Sequence, residues 1–94
     1  MSVLHIEHQI SDLPTWLETF HRFAPARTRA GVTAAEVYQP TDDPHYIVVN
    51  LHFENADAAV RFRTFLTEQV WSSPDTSPAL AGTPTARVLT EVTV

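Results

Sequence analysis

Four segments of this chain alternate apolar and polar side chains with a period of two. The polar side of that alternation is chemically varied, so the fold is restricted to a sheet with one packed face and one face displaying functional groups. In LHIEHQI, Leu4, Ile6 and Ile10 alternate with His5, Glu7 and Gln9. In HYIVVNLHF, Ile47, Val49, Leu51 and Phe53 alternate with Tyr46, Val48, Asn50 and His52. Near the end, Ala86, Val88, Thr90 and Val92 alternate with Arg87, Leu89, Glu91 and Thr93. Imidazole, carboxylate, amide and phenol on the second face read as the lining of a partly wet cavity.

Between the strand-like segments lie two stretches with helical spacing. After a strand from Val3 to Gln9, Ser11 or Asp12 offers a helix N-cap, with Pro14 in the first turn where a missing N–H costs nothing. Leu13, Trp16, Leu17, Phe20 and Phe23 make the stripe of helix one; Pro25 ends or kinks it, and Gly31 is its left-handed stop. Val32 to Gln39 is predicted as strand two, PTDDP over Pro40 to Pro44 as a turn, and His45 to Phe53 as strand three. Asn55 or Asp57 caps helix two, striped by Ala59, Phe62, Leu66 and Val70. An irregular connection, SSPDTSPALAGTP, leads to a last strand from Thr85 to Val94. Its three prolines make it a stiff arm or packed flap rather than a plain connection.

Strand, helix, strand, strand, helix, strand over 94 residues predicts one α+β domain, residues 1–94. The right-handed crossover rule makes it a ferredoxin-like βαββαβ unit: a four-stranded antiparallel sheet of order 4-1-3-2 with both helices on one face. Leu4, Ile6, Val37, Ile47, Val49, Leu51, Val88 and Val92 are expected under the helices. The opposite face then carries Val3, Tyr38, Tyr46, Val48 and Leu89 among its polar groups, more apolar area than a small monomer exposes, and a second subunit is the simplest cover.

Composition excludes several classes of function. Without cysteine there is no disulfide framework, thiol nucleophile or thiolate metal site, which suits a reducing cytoplasm. No apolar run approaches the ~20 residues that span a bilayer. Net charge is −5 with only six basic residues, all arginine and without a stripe, which argues against nucleic acid and anionic membrane as partners. There is no Gly-rich phosphate loop and no Ser-His-Asp arrangement.

The element order, the run YQPTDDPHYIVVNLHFENADAAVRF and the segment VWSSPDTSPALAGTPTARV resemble the dimeric α+β barrel superfamily over almost the whole chain. The likeness is greatest to its small actinobacterial-type members that resemble antibiotic biosynthesis monooxygenases. The resemblance implies a homodimer packed sheet to sheet around a cavity for a small apolar or aromatic ligand. It also implies the possibility of cofactor-independent oxygenation of a phenolic or enolisable aromatic compound. Such enzymes use Asn, Trp, Tyr and Arg side chains to hold and polarise a phenol; Asn50, Trp71, Tyr38 and Arg87 are the same residue types. The haem-degrading branch is less similar, since residues 72–94 contain no histidine to ligate iron.

The residues themselves nominate His5 and His52 as proton acceptors with Asn50 beside them, and Tyr38, Arg87, Trp71 and Glu7 as ligand contacts. No cofactor or metal is assigned, because two histidines lack a clear third ligand. Arg87 serves either an anionic ligand or an ion pair with Glu7. Trp71 either caps a cavity mouth or packs the following loop. His8 and His21, near strand and helix edges, and His45, after a turn proline, receive no role. Three classes stay open: a small enzyme of oxygenase or cyclase type, a non-catalytic binder or sensor, and a pure dimerisation module.

Overall fold

Period-two patterning builds the sheet as expected. The computed structural model describes all 94 residues, with strands β1 (Ser2–Ile10), β2 (Ala34–Tyr38), β3 (Tyr46–Phe53) and β4 (Leu80–Thr90). The strands pair antiparallel in the order β2-β3-β1-β4, with β1 and β3 central. Helices α1 (Leu13–Arg22), α2 (Ala24–Ala30) and α3 (Ala56–Phe65) cover one face, and α3 runs on into a π-helical turn, Leu66–Val70. No helix is long and apolar enough to cross a membrane.

Local chemistry sets the helix limits. Of the two candidate caps, Asp12 accepts the backbone N–H of Thr15 at 2.8 Å, and that bond holds its carboxyl below the ordinary carboxylate range. Asn55 caps α3 through the N–H of Ala58 at 2.9 Å. Pro25 breaks helix one: Phe23 ends α1, and α2 restarts with Pro25 in its first turn. Gly31, at φ 92°, closes α2 in the left-handed region.

Leu4, Ile6, Ile47, Val49, Leu51 and Phe53 are buried under Trp16, Ala59 and Phe62, giving one contiguous core. Each such side chain contributes about 1.5–3 kcal/mol by leaving water. Two expectations about this face are corrected. Val37 points to the same side as its partner Val49 but is 36% exposed, because α3 packs chiefly over β1, β3 and β4 and leaves the β2 edge open. Val92 lies beyond the last strand and is 76% exposed.

The last strand is also displaced from its expected limits. It starts at Leu80 rather than Thr85 and stops at Thr90 rather than Val94, so much of the predicted loop is sheet. The proline and glycine read as loop signals belong instead to an irregular β-bulge. Glu7 pairs with Thr85 while Gln9 pairs with Ala81, so residues 82–84 stand opposite His8 alone. Gly82 supplies the positive φ, 72°, that this detour needs.

Candidate functional site

On the face away from the helices, strand register aligns side chains in rows. Glu36, Asn50, His5 and Arg87 occupy one row across all four strands, and Tyr38, Val48, Glu7 and Thr85 the next. The pairing brings most of the predicted groups together. His5 Nδ1 lies 2.7 Å from Asn50 Oδ1 and His5 Nε2 2.8 Å from Glu7 Oε2; Tyr46 donates its hydroxyl to Glu7 Oε1 at 2.7 Å. Asn50, His5, Glu7 and Tyr46 thus form one chain of hydrogen bonds.

That chain sets the protonation of its members. With two oxygen acceptors the His5 ring donates twice, as imidazolium; rotating the Asn50 amide by half a turn would let a neutral ring accept from its NH₂ instead. The Glu7 bond, and after it the Asn50 bond, raises His5 above its ordinary value. The reciprocal bond from His5, then that from Tyr46, lowers Glu7, and the bond to Glu7 raises the Tyr46 phenol. His52 makes a separate pair with Glu36 at 2.9 Å. Arg87 stands opposite His5 with no carboxylate within ion-pair distance; of the two roles offered for it, the ion pair with Glu7 is not formed, and Glu7 pairs with His5 instead. Tyr38 is 55% exposed at the β2 edge.

Trp71 is not part of this group. It lines a cavity of about 80 Å³ on the other side of the sheet, between the strands and the helices. The π-helical turn places it there: the N–H of Trp71 reaches back to the carbonyl of Leu66 at 2.7 Å, swinging the indole inward. Trp16 stacks on Phe20 at 4.9 Å between ring centroids, and the Arg27 guanidinium lies 3.6 Å above the same Phe20 ring while donating to the Phe20 carbonyl.

His8 also faces this cavity, and the sequence reading gave it no role. Only 5% exposed, it lies edge-on to Trp71 with ring centroids 6.3 Å apart. Its Nδ1–H donates to the Gln9 carbonyl at 2.8 Å, so the lone pair resides on Nε2. No group of the chain hydrogen-bonds that atom, yet it is not sealed off. Burial depresses the basicity of the ring, keeping it neutral near pH 7. The signal was present in the alternation: His8 has the parity of Leu4, Ile6 and Ile10, so it had to fall on the packed face.

No protein-family sequence model and no curated protein matches the chain. Solved structures do. SnoaB, a cofactor-independent oxygenase from Streptomyces nogalater, superposes with a TM-score of 0.71 at 18% identity, over 99% of this chain and 94% of that one. A candidate antibiotic biosynthesis monooxygenase from Nitrosomonas europaea gives 0.71 at 15% identity over 99% and 100%. The chain has the fold of the antibiotic biosynthesis monooxygenases. An uncharacterised NIPSNAP domain protein from Burkholderia xenovorans, with a TM-score of 0.65 at 15% identity over 98% and 95%, shares it too. At such identities the antibiotic biosynthesis monooxygenase fold is what is held in common, and chemistry has to be argued from the residues.

Proposed function

We propose that this protein binds a small aromatic acid, a phenol or an enolisable ring, in the cavity between sheet and helices, and prepares it by deprotonation for cofactor-independent reaction with dioxygen in the cytoplasm. The observation that carries the reading is the cavity itself: apolar walls with two indoles, and only a few polar groups placed to orient a ligand. The fold shared with a cofactor-independent oxygenase supports the reaction class. Stacking against Trp16 or Trp71 would hold a planar ring.

The test is fluorescence titration with phenol, catechol and related single-ring phenols while dissolved oxygen is monitored. Saturable quenching of the tryptophans and oxygen uptake should both occur, and both should be lost when Ala79→Leu fills the cavity without altering the circular dichroism. Quenching unchanged by Ala79→Leu would remove the cavity from the argument.

A second reading rests on the Asn50–His5–Glu7–Tyr46 chain, which supports chemistry on the open sheet face beneath a second subunit. There His5 or His52 would take the proton, and Asn50, Tyr38 and Arg87 would stabilise the anion. Both ring nitrogens of His5 are engaged, so acting as a base would require Asn50 to turn its amide. His5→Ala abolishing oxygen uptake while leaving quenching intact would favour this face over the cavity. A binder or sensor that does not turn over would show quenching and no oxygen uptake in any variant.

A further inference from the structure

We infer that His8 is the proton acceptor of the cavity, that Arg27 holds the resulting anion, and that the acid they take is a compact single-ring phenol or enol. This rests on the cavity reading above and goes further in naming the acid–base pair and the size of the ligand.

Three observations support it. First, His8 and Arg27 are the only ionisable groups among the 16 residues that line the cavity. No carboxylate faces His8 to hold it as imidazolium, and no carboxylate neutralises Arg27, whose guanidinium is committed to the Phe20 ring and carbonyl and is partly desolvated. A desolvated cation without a counter-ion favours an anion beside it. Second, the tautomer of His8 is fixed by the Gln9 carbonyl, which leaves Nε2 as the basic atom. The β-bulge opposite His8, turning at Gly82, and the π-helical turn that carries Trp71 are both local departures from regular structure converging on this one ring. Third, at about 80 Å³ the cavity is well below the roughly 300–1,000 Å³ typical of drug-sized ligands, which favours a single ring over a fused polycycle.

The step is a single proton transfer. The O–H or acidic C–H bond of the ligand breaks, its electron pair stays on the ligand as phenolate or enolate, and the proton forms a new N–H bond at His8 Nε2. The net charge of the complex is unchanged, since an imidazolium and an anion replace two neutral groups. Ionisation therefore occurs inside the complex without release of a proton to solvent.

4-Nitrophenol is the probe, because its phenolate absorbs in the visible while binding is read independently from tryptophan fluorescence. At a pH below the probe's ionisation in free solution, the complex should show the phenolate band with no proton released to a pH indicator. His8→Asn and His8→Gln, checked for fold by circular dichroism, should still quench fluorescence but lose the band. Arg27→Gln should weaken binding of the ionised probe by about tenfold, the loss expected for one hydrogen bond to a charged group. A band that persists in both His8 variants would overturn the assignment of His8 and leave the cavity standing. Absence of any quenching by 4-nitrophenol in the unaltered protein would overturn both the ligand class and the cavity reading.

Discussion

At the scale of single residues, three ionisable groups make the protein's stability depend on pH in opposing ways. His5 binds its proton more tightly folded than unfolded, so its contribution is complete below its ordinary value of 6.5 and is lost as the pH rises through its raised folded value. Glu7 contributes above its ordinary 4.5 and loses that contribution as the pH falls through its lowered folded value. The pair therefore stabilises the fold most between those two ordinary values. His8 works the other way. Its depressed folded value means that the unfolded chain takes up a proton first as the pH drops through 6.5, and stability falls with it. His8→Asn should remove that loss: the urea midpoint at pH 5.5, relative to that at pH 7.5, should be higher in the variant than in the parent. Glu7→Gln should bring the imidazole titration of His5, followed by NMR, down toward 6.5, because the largest stabiliser of its charged form is gone.

At the scale of elements, the boundary of β4 marks where the sequence stopped being legible. Alternation found β1 and β3 nearly to the residue, and capping chemistry placed the starts of α1 and α3, because each of those signals is local. Gly82 and Pro84 carry the same local signals as a loop, and only the pairing of Gln9 with Ala81 shows that they form a bulge within a continuous strand. Parity along β1 was enough to put His8 on the packed face. The cavity that gives the position meaning depends on a π-helical turn and a bulge that no single-segment pattern announces. The bulge is also a place where backbone conformation is costly. A side chain at Gly82 would have to adopt φ 72°, which costs an L-residue about 1–2 kcal/mol, while its Cβ would meet only the end of the Gln9 side chain, at 3.0 Å. Gly82→Ala should lower stability by about that amount in urea titration. It should also weaken phenol quenching, because Leu80, two residues before it, lines the cavity.

For the whole molecule, the open face of the sheet determines whether the subunit is complete by itself. Leu89 is 43% and Tyr38 55% exposed there, beside the partly buried Val3 and Val48. Apolar groups of this kind on one face of a 94-residue domain favour a cover. Polar groups would normally oppose it, because burying an imidazolium or a carboxylate alone is expensive. Here Asn50, His5, Glu7 and Tyr46 satisfy one another within the subunit, and His52 is paired with Glu36, so covering them strands little hydrogen-bonding capacity. Arg87 is the exception: without an acid partner of its own, it needs an acceptor from the covering surface or a place at the rim. A second copy presenting the same face meets the apolar condition, since its rows match by identity, and leaves Arg87 a place at the rim. Sedimentation velocity should therefore give a dimer for the parent protein, and Val48→Asp, which places an unpaired carboxylate at the centre of the face, should give a folded monomer. If the parent sediments as a monomer at concentrations where circular dichroism shows it folded, the open face is solvated and chemistry on it loses its enclosure. The cavity between sheet and helices, which needs no partner, would then keep its place in the argument for function.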